Sequence, residues 1–70
     1  MSDPHLRSDA LLVSTAELLR LTQIGLHSNS QRLFDAGESL LSVLVLNLRK
    51  KTALVPAELR PHLELLRKQV

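Results

Sequence analysis

A chain of 70 residues with a formal charge of +2 is one small domain whose charge gives little electrostatic reason to bind nucleic acid. The absence of cysteine excludes disulfides and thiolate metal sites, and Phe34 is the single aromatic residue. A core of this size contributes only about 3–5 kcal/mol, so such domains usually need a metal, a disulfide or self-association as well. The three histidines are scattered, so we expect neither a metal nor a cofactor and predict self-association.

The N-terminal residues carry no targeting signal that we recognise. Residues 1–8 are polar and are expected to form a tail, and no run approaches the roughly 20 apolar residues that span a bilayer. The most apolar run, Leu40 to Leu48, is interrupted by Ser42 and Asn47. We therefore expect a soluble, cytoplasmic protein without a membrane span.

A first helix is predicted over residues 9–27, where good helix formers predominate. Leucine recurs at every seventh position from residue 12, which is typical of a helical seam. The seam leucines are Leu12, Leu19, Leu26, Leu33 and Leu40. Further apolar residues surround this first helix on other faces, so we expect it to be covered on more than one side.

The weakest point of the helical pattern is the Ser-Asn-Ser sequence at 28–30, because these residues favour caps and turns. A turn here folds the leucine row onto itself, which predicts an antiparallel helical hairpin with Leu19, Leu26, Leu33 and Leu40 in its core. Gly37 is then expected at a close crossing against the first helix near Gln23. The alternative is one unbroken helix about 60 Å long.

The second helix is predicted over residues 31–51 and a short third helix over 57–69. The second helix is amphipathic, and its basic C-terminal residues suit the helix dipole. Residues 52–55 break the helical pattern before Pro56, and Pro61 either opens the third helix or kinks it. The predicted fold class is therefore all-α, a hairpin with a C-terminal helix that dimerises into a bundle.

Two sets of residues are candidates for binding. Apolar residues off the hairpin seam are expected to form the partner or dimer interface, and a basic cluster ends the second helix. The interface candidates are Val13, Leu21, Ile24 and Leu46, and the basic candidates are Arg49, Lys50 and Lys51. No catalytic constellation and no phosphate-binding loop is present in the sequence, so we do not expect an enzyme.

The function that this pattern favours is a protein–protein interaction module. By size and class alone, we expect a homodimer that binds and modulates or inhibits a larger protein, such as a transcription regulator or motor ATPase of bacterial or phage type. A secretion-type chaperone is an alternative of the same build. The stretch from Ile24 to Ser30 resembles the turn of a DNA-binding helix-turn-helix. However, Leu21 stands where a small residue is usual in that motif. A basic recognition helix is also missing, since only Arg32 supplies positive charge between the turn and Asp35.

Overall fold

The computed structural model describes residues 10–70 and shows a mostly helical fold with a small two-stranded sheet. In chain order, its elements are β1 (Leu11–Ser14), α1 (Thr15–Leu26), α2 (Gln31–Leu46), β2 (Thr52–Val55), a 3₁₀ turn (Ala57–Leu59) and α3 (Arg60–Arg67). The prediction of an all-α fold is therefore wrong in one respect. Two segments near the predicted start of the first helix and the predicted end of the second, Leu11–Ser14 and Thr52–Val55, instead pair with each other as strands.

The sheet is an antiparallel ribbon in which Leu12 lies opposite Leu54 and Val13 lies opposite Ala53. Side chains alternate between its two faces, so Val13, Ala53 and Val55 are buried while Leu12 and Leu54 are exposed. The predicted start of the first helix at residue 9 is wrong because this pairing joins segments about 40 residues apart. Helical periodicity depends only on residues close together in the sequence, so it cannot reveal such a pairing.

Ser14 and Thr15 convert the end of the strand into the start of a helix. The Ser14 hydroxyl accepts a hydrogen bond from the backbone N–H of Glu17 at 3.1 Å, which caps α1. The backbone N–H of Thr15 donates to the Lys51 carbonyl at 2.9 Å, and its hydroxyl donates to the Lys50 carbonyl at 2.8 Å. These bonds attach the start of α1 to the segment that leads into β2.

The helices α1 and α2 pack against each other across the turn at residues 27–30, so the alternative of one unbroken helix is wrong. Ser30 caps α2 as its sequence position predicts, with its hydroxyl 3.5 Å from the Leu33 backbone nitrogen. Gly37 does lie at a close crossing, but it faces Gly25 and Leu26 rather than Gln23. The hairpin register therefore differs slightly from the predicted one.

The last two predicted helices are shorter in the structure. The helix α2 ends at Leu46 instead of residue 51, where Asn47 caps it by donating from its side-chain amide to the Val43 carbonyl at 2.8 Å. The predicted helix over 57–69 divides into the 3₁₀ turn and α3. Pro61 lies in the first turn of α3, where its missing N–H costs no helical hydrogen bond.

The core lies between the inner face of the ribbon and one side of the three helices. Its hydrophobic side chains are all aliphatic: Val13, Leu18, Leu21, Ala36, Leu40, Val43, Leu44, Ala53, Val55, Leu63 and Leu66. Of the four seam leucines predicted for the core, only Leu40 is fully buried, and Leu33 packs at its edge. Leu19 is exposed because α1 turns the neighbouring Leu18 inward.

The predicted tail at residues 1–8 lies outside the described residues. Among residues 10–70, no helix combines the length and the apolar character that crossing a membrane requires.

Candidate interaction surfaces

The four residues predicted to form an interface do not lie on one surface. Val13 and Leu21 are buried in the core, so their assignment to an interface is wrong. Val13 lies on the inner face of β1, and Leu21 lies on the side of α1 that faces the core. Ile24 is half-buried against the core, and only Leu46 is freely exposed.

A different apolar surface runs along the side of the hairpin that faces away from the core. Its members follow helical spacing: Leu19 and Leu26 on α1, and Phe34, Leu41 and Val45 on α2. We call these five residues the outer hairpin face. Leu26 and Phe34 are half-buried, yet neither packs against the core cluster, which places them on the opposite side of the helices.

A second apolar surface lies on the outer side of the β-ribbon. Leu12 and Leu54 are cross-strand neighbours there, exposed at 69% and 62%. With Asn47, Lys50 and Thr52 they line a depression of about 250 Å³, and we call these five residues the ribbon patch. The sequence pattern alone does not reveal this patch, because Leu12 and Leu54 become neighbours only when β1 pairs with β2. The available signal was the valine-containing, proline-bounded segment at 52–55.

The predicted basic cluster is exposed at all three positions, Arg49, Lys50 and Lys51. It lies in the turn between α2 and β2 and not at the end of a helix, because α2 ends at Leu46. Lys50 lines the depression of the ribbon patch, so the structure joins this cluster to an apolar surface. Within residues 10–70, no carboxylate forms an ion pair with any of the three side chains.

A second depression, of about 460 Å³, lies between the start of α2 and α3. Both signs of charge line it, with Arg32 and Asp35 on α2 and Glu64 and Lys68 at the other side. His62 also lines it, and its ring nitrogen Nδ1 is buried without a hydrogen-bond partner. No group of three potential metal ligands occurs in residues 10–70, so this arrangement does not identify a metal site.

The described part of the chain contains one ion pair, in which Arg67 Nε donates to Glu17 Oε2 at 2.8 Å. This hydrogen bond, together with the nearby Glu17 charge, raises the pKa of Arg67 above its usual value. It joins α3 to α1, but both side chains are more than a third exposed. Exposed pairs contribute only about 0–1 kcal/mol because water and salt screen them.

We therefore expect Arg67→Gln to change the free energy of unfolding by less than about 1 kcal/mol, and by still less at high salt. Urea unfolding at low and high ionic strength measures both quantities. Glu58→Gln is a matched control, since Glu58 is exposed and forms no ion pair in the described residues. A loss well above 1 kcal/mol would show that the pair determines how α3 docks.

Comparisons with protein-family models, curated proteins and solved structures found no match to this chain.

Proposed function

We propose that this protein is a non-enzymatic interaction module that assembles as a homodimer through the outer hairpin face. The observation that carries this proposal is the pair of apolar stripes on α1 and α2 that lie opposite the core. A helix pair with apolar residues on both sides is typical of a bundle layer that is covered on both sides. The core covers one side of the hairpin, and a second hairpin would cover the other.

The charges at the rims of this face suit a second copy of the same chain. Arg20 lies beyond Leu19 on the rim of α1, and Glu38 flanks Leu41 and Val45 on the rim of α2. When two hairpins stack with α1 of one copy on α2 of the other, the Arg20 rim of each copy faces the Glu38 rim of the other. A two-fold symmetric interface of this kind brings opposite charges together twice.

The outer hairpin face is also large enough for a weak dimer. The 16 residues of α2 extend about 24 Å, and two helices side by side are about 20 Å wide. Because α1 has 12 residues and is shorter, the face covers about 400 Å² per copy, or about 800 Å² in total. This area is below the usual range for a stable interface, so we expect a dissociable dimer.

The test compares two adjacent positions near the end of α2. Val45 belongs to the outer hairpin face, whereas Leu46 is turned about 100° away from it; they are 55% and 81% exposed. We expect the wild-type protein and Leu46→Lys to sediment at twice the monomer mass of 7.8 kDa at micromolar concentration. Val45→Lys should be monomeric with unchanged helical circular dichroism, because Val45 takes no part in the core.

A wild-type monomer at these concentrations would contradict the proposal. Dissociation by Leu46→Lys but not by Val45→Lys would instead place the interface on the side of α2 that includes Leu46. Because dimerisation stabilises the folded state by mass action, the thermal midpoint of the wild type should also rise with protein concentration. The midpoint of Val45→Lys should not.

A regulatory role toward a larger protein, such as inhibition of a transcription regulator or motor ATPase, remains part of this proposal. It is supported by the presence of a second exposed apolar surface, the ribbon patch, which a dimer through the outer hairpin face leaves uncovered. DNA binding is the competing function, for which the exposed cluster Arg49–Lys51 is the supporting observation. It would appear as duplex binding that falls steeply with salt and is lost in Lys50→Gln/Lys51→Gln.

A further inference from the structure

The hydrogen-bond pattern of the ribbon shows which backbone groups point outward. Thr15 N–H donates to the Lys51 carbonyl, which makes Thr15 and Lys51 a hydrogen-bonded pair in the register of the ribbon. Antiparallel pairs alternate, so Leu12–Leu54 and Ser14–Thr52 are pairs whose N–H and C=O groups point away from the partner strand. These groups accordingly lie along the two outer edges of the ribbon.

Neither edge is paired within the described residues. The backbone N–H and C=O groups of Leu12 and Leu54 form no hydrogen bond to another element of residues 10–70. The same two residues carry the exposed leucine side chains of the ribbon patch. An extended segment that pairs with an edge would therefore meet free backbone groups and an apolar surface at once.

Among the described residues, the charged side chains in the turn that leads into β2 are all positive. Arg49, Lys50 and Lys51 lead directly into β2, and Lys50 lines the same depression as Leu12 and Leu54. A second copy of this chain on the patch would bring a second cluster of three cations into the same small region. Such like-charge contact disfavours self-association here and favours an acidic partner.

We propose that the ribbon patch binds an extended segment of a partner protein that alternates apolar and acidic side chains, and that the segment adds a third strand to the ribbon. The apolar side chains of the segment pack on Leu12 and Leu54. Because side chains alternate along a strand, the carboxylates of the segment project from its other face, on the side of Lys51, which lies two residues before the inward-facing Ala53. The backbone of the segment pairs with an open edge. This surface is separate from the outer hairpin face, so the proposal does not depend on the proposed homodimer.

The experiment uses the full chain and a fluorescein-labelled peptide of eight residues that alternates leucine and glutamate. Fluorescence anisotropy should show saturable binding, and a peptide with lysine in place of glutamate should bind at least about tenfold more weakly, because its charges oppose the cluster. A third peptide carries N-methyl groups on alternate amides. It keeps every side chain but loses the N–H groups that strand pairing needs, so we expect it not to bind.

Three variants test the residues. Lys50→Gln/Lys51→Gln should weaken binding of the acidic peptide about tenfold and reduce its salt dependence. Leu54→Ser should weaken it by a similar factor, whereas Leu46→Ser, an exposed leucine outside the patch, should leave it unchanged. These positions are all exposed, and unchanged circular dichroism of each variant verifies that the fold is intact.

Equal affinity for the acidic and basic peptides, or unchanged binding in Leu54→Ser, would overturn the proposal. Binding of the N-methylated peptide would overturn strand addition. Vesicles of phosphatidylserine and phosphatidylcholine test the other anionic partner. Binding to these vesicles without binding to the acidic peptide would reject a protein partner and assign the patch to a membrane surface.

Discussion

Leu18→Ala is expected to lower the free energy of unfolding by about 2–5 kcal/mol. The side chain of Leu18 is fully buried, between α1 and the rest of the aliphatic core. Its truncation removes apolar contacts and leaves a cavity that neighbouring leucines fill only in part. Since a core of this size contributes about 3–5 kcal/mol in total, the variant should be largely unfolded at room temperature.

The matched control is the next residue along the helix, Leu19→Ala. Both leucines have the same helix propensity and differ only in direction, since Leu19 is 45% exposed on the outer hairpin face. At low protein concentration we expect Leu19→Ala to cost less than about 1 kcal/mol. At high concentration the cost should increase, because the wild type then gains stability from dimerisation. Urea unfolding followed by circular dichroism at two concentrations measures all of these values.

If Leu19→Ala proved as destabilising as Leu18→Ala at low concentration, the assignment of the core would be wrong. The heptad of leucines would then be the true seam of the hairpin, as the sequence alone predicts. If both substitutions lowered the free energy of unfolding only slightly, the stability of the chain would come mainly from association and not from its own core.

Local signals in the sequence predicted three helices and the turn between the first two, although not all of the helix ends, because caps and breaks act over a few residues. Ser30 caps α2 where the Ser-Asn-Ser sequence predicted it, and the helical pattern does break before Pro56. The heptad row was less informative. Leucine is so frequent in this chain that adjacent positions, such as Leu18 and Leu19, offer alternative buried faces.

The candidate surfaces could not be predicted because they depend on contacts between distant segments. Leu11, Leu12 and Val13 read equally well as the start of an apolar helix, and only pairing with β2 makes them a strand. That pairing buries Val13, which the sequence had predicted to lie at an interface. It exposes Leu12 beside Leu54 instead. The basic cluster was visible from composition, but its position beside an apolar depression was not.

Gly25 and Gly37 lie where the backbones of α1 and α2 come close together. A methyl group on Gly25 would place its carbon 2.6 Å from the Leu33 carbonyl oxygen and 2.8 Å from the Gly37 Cα. A methyl group on Gly37 would lie 3.0 Å from the Leu26 backbone nitrogen. These neighbours are backbone atoms, which cannot move aside without shifting one helix relative to the other.

We therefore expect Gly25→Ala to lower the free energy of unfolding by about 1–3 kcal/mol, since overpacking forces the helices apart. At an exposed helical position, replacing glycine with alanine stabilises by up to about 1 kcal/mol, so the two environments predict opposite signs. Gly37→Ala should destabilise in the same direction but less, because its closest contact is 0.4 Å longer. Gln23→Ala, at an exposed site on α1, should be neutral or slightly stabilising.

Thermal unfolding by circular dichroism measures the four proteins side by side. A loss of 1 kcal/mol lowers the midpoint of a domain of this size by about 4–8 °C, so even the smaller effect is measurable. A raised midpoint for Gly25→Ala would mean that α1 and α2 are further apart than the structure places them. The outer hairpin face would then be divided by a wider groove, and Leu26 and Phe34 would no longer form one continuous surface. For that reason, this substitution tests both the packing of the hairpin and the surface through which we propose that the protein dimerises.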